Sequence, residues 1–159
     1  MNDLTRLIQD FIPKQSQSLA SAVEHALLPG GKRIRPVFLY LTYLLRGNQR
    51  IPDTLERCAL VLELMHTATL VHDDIIDNSE LRRGKETVNV KYGLPRSILV
   101  GDYLLTKAFG ICSDLPYIIR KLTEDCAVNL IVGENDELDE LPSAPLDRVF
   151  RILTLKTAS

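Results

Sequence analysis

Apolar residues recur along this chain at steps of three and four, a spacing that predicts helices almost throughout. Leu4, Leu7, Ile8, Phe11 and Ile12 mark a short amphipathic helix. Pro13 permits a fresh start, because proline is tolerated in a first helical turn. Leu19, Val23, Ala26 and Leu27 carry the pattern on to the stop Pro29-Gly30-Gly31. A third helix is predicted from about Ile34 to Leu45, ending near Gly47-Asn48. It is apolar nearly all round, so a buried position is expected. Ile51-Pro52-Asp53 opens the longest helix, with Leu55, Cys58, Leu62, Met65, His66, Thr69, Asp73 and Asp77 on a common stripe. Asn78 to Glu86 is polar, contains Gly84 and reads as a loop. Further helices are predicted from Pro95 to about Cys112 and from roughly Leu115 to Val132. An acidic connector with Pro142 and Pro145 follows, and a last helix begins near Leu146. No segment alternates with period two, so the expected class is all-α.

Composition narrows the picture without changing it. A length of 159 residues suits one domain. With 45% apolar and 25% charged residues, the chain falls among ordinary globular proteins. A net charge of −2 gives no bulk attraction to nucleic acid or to an anionic membrane, so any anion must be held by local clusters. The longest apolar stretch, Val37 to Leu45, falls far short of the roughly 20 residues that span a bilayer, so no transmembrane segment is expected. The N-terminus lacks a basic stretch followed by an apolar core, and no signal peptide is expected. Cys58, Cys112 and Cys126 show no CxxC spacing and sit among apolar neighbours. They read as buried, reduced thiols of a cytoplasmic protein.

Charge clusters supply the candidate chemistry. In Asp73-Asp74-Ile75-Ile76-Asp77, Asp73 and Asp77 share one helix face about 6 Å apart along the axis, and Asp74 is turned about 100° away. Three like charges beside an apolar run repel one another, and burial raises carboxyl pKa values. A divalent cation resolves that conflict. Hard oxygen ligands suit Mg²⁺, which binds through one or two carboxylates and shares its shell with water and substrate phosphates. The alternative is a solvated helix end, although acidic residues are disfavoured at a helix C-terminus.

Cations accompany the carboxylates. Gly30-Gly31-Lys32-Arg33-Ile34-Arg35-Pro36 sets three of them at a glycine turn leading into a helix, where backbone N–H groups can also meet an anion. Lys32 and Arg35 are three apart and can point the same way. Arg82 and Arg83, with Lys85 nearby, offer guanidinium forks that match phosphate oxygens. Either group also reads as solvated surface charge. His66 lies two turns before Asp73 on the same face; it is either a satisfied core histidine or a phosphate donor.

In this order and spacing the pieces resemble the trans-isoprenyl diphosphate synthases. The match rests on the Gly-Gly-Lys-Arg-Ile-Arg-Pro turn, Glu63-Leu64-Met65-His66, the DDxxD cluster and Leu81-Arg82-Arg83-Gly84-Lys85. It also includes Gly101-Asp102-Tyr103-Leu104 and Lys156-Thr157-Ala158. The resemblance implies that Lys32, Arg35, His66 and Arg83 hold isopentenyl diphosphate. It implies that Asp73, Asp74 and Asp77 hold Mg²⁺ against an allylic diphosphate gripped by Arg82 and Lys156, and that Thr157 lines the site near the reacting carbon. In that family, residues just before the aspartates set product length. Ala68 and Thr69 are small and Met65 is flexible, so a medium- to long-chain all-trans polyprenyl product is expected. Dimerisation through the Pro95 to Cys112 helix is implied too, as a homo- or hetero-oligomer.

The family pattern also has about twice this length and a second aspartate-rich motif, which this sequence lacks. Residues 1–159 are therefore expected to form the N-terminal half of a single isoprenoid synthase domain that needs a partner or its other half for normal turnover. Two other classes compete. A non-catalytic diphosphate-binding or regulatory subunit has no need of Arg82, Arg83 and Lys156 together. A terpene cyclase has no use for a second diphosphate site built from Lys32, Arg35 and His66.

Overall fold

The computed structural model describes residues 7–28, 33–140 and 145–157. Lys32 and the side chain of Thr157 lie outside the described residues, as does the start of the predicted first helix up to Arg6; residues 7–9 of that helix are helical, with Ile8 buried. The chain forms two compact units, Met1–Asp114 and Leu115–Ser159. The expected all-α class holds: a two-stranded hairpin is the only sheet among the described residues.

In the first unit, α1 (Gln17–Leu27) starts where the Ser16 hydroxyl accepts from the Leu19 N–H at 3.5 Å. This N-cap satisfies an N–H that the helix cannot. α2 spans Ile34–Leu45, and α3 spans Asp53–Ile76. Asp53 and Glu56 in the first turn of α3 complement its dipole. A short α4 (Val88–Tyr92) leads into α5 (Leu94–Ser113). The central packing is α3 against α5. Leu60, Leu64, Ala68 and Val71 of α3, with Val100, Leu104 and Ala108 of α5, are almost wholly withdrawn from water. Burying each such Leu or Val stabilises the fold by about 1.5–3 kcal/mol.

Helix α2 departs from expectation. It is exposed rather than buried: Phe38 is 64% and Leu45 84% accessible, and Pro36 is its one buried residue. An all-round apolar sequence records that a surface is suited to burial, not which neighbour covers it. The cysteines differ as well. Cys112 is buried, Cys58 is half-buried and Cys126 is exposed.

In the second unit, α6 (Tyr117–Glu140) packs on α7 (Leu146–Thr157). The acidic stretch expected to be a connector is instead helical to Glu140. Its carboxylates are matched by cations of α7. Asp136 lies 3.4 Å from Arg151, and Lys156 binds Glu134 at 2.7 Å and also Glu137. The helix dipole disfavours acids at this end, and these pairs offset that cost.

Candidate functional site

The last turn of α3 carries the three aspartates, and the chain must leave the helix at once. Asp77 is the C-cap, and Asn78 takes the left-handed conformation (φ 51°). The Ser79 N–H donates to the Asp74 carbonyl at 2.9 Å and the Asn78 N–H to Ile75 at 3.2 Å. This is the Schellman arrangement, for which asparagine is one of the few suitable side chains.

A hairpin follows where a loop was expected. β1 (Leu81–Arg82) pairs with β2 (Lys85–Glu86), Arg82 opposite Lys85. The two-residue connection, Arg83-Gly84, has φ of 53° and 75°. Two successive positive φ values define the tight turn that suits the natural strand twist. Residues facing each other across a hairpin share one side of it, so Arg82 and Lys85 project together. Thr87 closes the base, its hydroxyl donating to the Ser79 carbonyl at 2.8 Å.

The hairpin returns Arg82 to the aspartates. Arg82 Nε donates to both Asp74 oxygens at 2.8 and 2.9 Å, and Nη2 lies 2.8 Å from Oδ1. Asp74 is buried, Asp73 half-buried and Asp77 exposed. The hydrogen bond from Arg82 to Asp74 holds the guanidinium pKa above its ordinary value, against the opposing effect of burial. The three carboxylates are thus not equivalent: Asp74 is occupied by a cation of the chain itself. Among the described residues, no three His, Cys, Asp or Glu side chains are assembled to hold a metal unaided. The all-oxygen donor set still fits Mg²⁺, which takes one or two protein carboxylates and completes its shell with phosphate and water.

Beside this turn lies a cavity of about 440 Å³ between α1, the start of α2, α3 and the hairpin. Arg33, Arg35, Arg82, Arg83 and Lys85 line it, against the carboxylates Glu63, Asp74 and Glu86. The cavity is therefore locally cationic in a chain whose net charge is −2. His66 also lines it. Burial first, then Arg35, Arg83, Arg82 and Arg33, push the His66 pKa down to about 4. The imidazole is thus neutral at pH 7, with one N–H to donate. The structure brings Arg35, His66, Arg82, Arg83 and Asp74 to one cavity. It places Lys156 in the second unit, where burial opposes its charge but hydrogen bonds to Glu134 and Glu137 outweigh it and raise its pKa. Ala68 is enclosed in the core, whereas Met65 and Thr69 are half-buried.

One element of the site went unassigned in the sequence. Arg33, the left-handed residue before α2 (φ 47°), turns back into the cavity wall. It pairs with buried Glu63 and donates to the Leu27 carbonyl at 3.2 Å. A glutamate one turn before His66, followed directly by Leu64, was the available signal: an acid set among core residues needs a cation.

The His66 shift has a definite sign. Its folded pKa lies below the ordinary 6.5, so the neutral form is favoured by folding. The associated stability is fully present above pH 6.5 and is lost as pH falls toward 4. Wild type is therefore expected to lose thermal stability over that interval more steeply than His66→Gln. A bound polyanion reverses the shift, so the His66 ring, followed by NMR, is expected to titrate near pH 4 alone and markedly higher with inorganic pyrophosphate.

The chain is similar to known proteins in sequence and in fold. Residues 16–159 match the family model described as polyprenyl synthetase. The chain is 47% identical over 137 residues to the short chain isoprenyl diphosphate synthase of Methanocaldococcus jannaschii, covering 83% of this chain and 41% of that protein. It is 37% identical over 137 residues to the octaprenyl diphosphate synthase of Escherichia coli, covering 81% and 40%. The crystal structure of polyprenyl synthase from Caulobacter crescentus, complexed with calcium and isoprenyl diphosphate, matches with a TM-score of 0.90 and 30% identity, covering 99% of this chain and 48% of that one. The chain spans less than half the length of each of these three proteins.

Proposed function

This chain belongs to the polyprenyl synthetase family, and on that footing we propose that it carries the substrate-anchoring part of a trans-prenyltransferase that condenses isopentenyl diphosphate with an allylic diphosphate. The observation that supports the reading best is the cationic cavity beside the aspartate turn. Arg35, His66 and Arg83, with Lys32, hold isopentenyl diphosphate. The guanidinium groups supply charge, and neutral His66 supplies a single directed N–H. Asp73, Asp74 and Asp77 hold Mg²⁺ against the allylic diphosphate, and Arg82 and Lys156 grip its oxygens. When bound, Mg²⁺ supplies neutralisation of the charge that develops on the departing diphosphate.

Arg82 reaches the reaction already charged and oriented, because Asp74 holds it. A fixed cation loses no reorganisation energy as the C–O bond of the allylic substrate lengthens. The double bond of isopentenyl diphosphate attacks the resulting allylic cation, and loss of a proton completes the longer chain. The family resemblance assigns Thr157 to the neighbourhood of the reacting carbon. Apolar wall residues such as Leu70 and Val71 keep water from that cation. The small side chains of Ala68 and Thr69 and the flexible Met65, just before the aspartates, support a medium- to long-chain product. On α5, Leu99 and Phe109 are exposed, in keeping with a helix that meets a second subunit.

A condensation assay tests the reading, using labelled isopentenyl diphosphate, an allylic diphosphate, Mg²⁺ and this chain supplemented with lysate of its source. Polyprenyl product is expected, reduced by about a hundredfold or more in Asp73→Ala. Absence of product, with Mg²⁺-dependent diphosphate binding intact, would overturn it in favour of a binding subunit.

A further inference from the structure

The motif Gly101-Asp102-Tyr103-Leu104 has no part in the cavity, yet its geometry bears on the aspartates. Gly101 is buried on α5, facing α3. A Cβ placed there would lie 2.1 Å from Nε2 of His72, 2.5 Å from its Cδ2 and 2.7 Å from its Cε1. No real Cβ tolerates those separations, so the imidazole rests directly on the glycine backbone. Nε2 lies 3.5 Å from the Ile98 carbonyl and 3.6 Å from Asp102 Oδ1. Both neighbours are oxygen acceptors, so the Nε2 edge of the ring faces acceptors on α5. The rest of the motif secures this surface. Leu104 is fully buried, and the Tyr103 hydroxyl donates to the Phe11 carbonyl at 2.9 Å.

His72 immediately precedes the aspartates. Successive helical residues are about 100° apart, so seating one side chain fixes the direction of those that follow. With His72 held on α5, Asp74 is carried round to the cavity, which it lines. We propose that His72 is a positioning residue: its ring, seated in the notch at Gly101, fixes the rotation of the last turn of α3 and hence where Asp73, Asp74 and Asp77 point. The role rests on the reading of those aspartates as Mg²⁺ ligands given above. Gly101 is required because any side chain would lift the ring from its seat, and Asp102 orients it.

Calorimetry with inorganic pyrophosphate, with and without Mg²⁺, tests this on the full chain. His72→Ala and Gly101→Ala are each expected to weaken Mg²⁺-dependent binding by about tenfold, as loss of a support behind a metal ligand does. Mg²⁺-free binding, which rests on Arg35, His66 and Arg83 rather than on the carboxylates, should stay within about twofold, since the variants remove none of those groups. A general loss of packing would reduce both. His72→Gln, whose amide can still donate to Ile98 and Asp102, should recover most of the loss. In the His72→Ala background, Gly101→Ala should lower Tm no further, because the ring it displaces is gone. Wild-type Mg²⁺-dependent binding that His72→Ala and Gly101→Ala leave unchanged would overturn the positioning role alone. Absence of Mg²⁺-dependent binding in wild type, with Mg²⁺-free binding present, would overturn the reading of the aspartates and this role with it.

Discussion

Asp74→Ala is expected to weaken Mg²⁺-dependent binding of inorganic pyrophosphate by about a hundredfold, equivalent to about 2.7 kcal/mol, and to lower stability as well. The two effects have separate causes. Asp74 is buried and bound by Nε and Nη2 of Arg82. Removing it leaves Arg82 facing the cavity without its fixed partner, so the cation proposed to meet the diphosphate loses its orientation. Breaking a fully buried pair costs about 3–5 kcal/mol. Arg82 is 37% exposed, so water recovers part of this and about 2 kcal/mol is expected. Asp77→Ala should behave differently. Asp77 is exposed and lies at the helix C-terminus, where an acid is unfavourable, so stability should change by less than about 0.5 kcal/mol. Titration calorimetry and denaturant unfolding of the two variants side by side separate metal binding from cation positioning. Equal stability losses in both would contradict the distinction.

Glu63→Ala is expected to be the most destabilising single substitution in the site, by about 3–5 kcal/mol. Arg33 and Glu63 have side-chain exposures of 13% and 6%, so neither charge is solvated when its partner is lost. For a chain of this length, each kcal/mol shifts Tm by about 2–4 °C, so a fall of roughly 10 °C should be visible by calorimetry. Glu63→Gln keeps an acceptor for the guanidinium and should lose less. Replacing both partners by apolar residues of similar volume, as in Arg33→Met with Glu63→Leu, should recover most of the stability, since well-packed hydrophobic substitutes for buried pairs are often neutral. The double variant is nonetheless expected to bind pyrophosphate more weakly, because Arg33 fixes the backbone from which Arg35 enters the cavity. Full binding in the double variant would show that the pair serves folding alone.

The sequence made some of this legible and hid the rest for physical reasons. Helices α3 and α5 follow from apolar spacing and from Pro52 and Pro95 at their starts. The aspartate turn and the basic clusters were visible because unlike charges set near apolar runs require an explanation. The hairpin was hidden because strands of two residues carry no alternation to read. The helical acidic stretch after Glu134 was hidden because its charges are offset by Arg151 and Lys156 from a different helix. The Arg33 and Glu63 pair spans 30 positions, and local patterns are blind at that separation. The inequality of the three aspartates, with Asp74 taken by Arg82, depends on a turn geometry that the spacing of the DDxxD cluster does not contain.

The central claim is that the cavity is a diphosphate site formed by this chain's own cations. Calorimetric titration of inorganic pyrophosphate into the full chain without Mg²⁺ tests it most directly, comparing wild type with Arg35→Ala and Arg83→Ala. The expected result is a single site whose affinity falls with added salt and drops by about tenfold or more in each variant, the worth of a charge-assisted hydrogen bond. Absence of binding, or binding that both substitutions leave unchanged, would contradict the account.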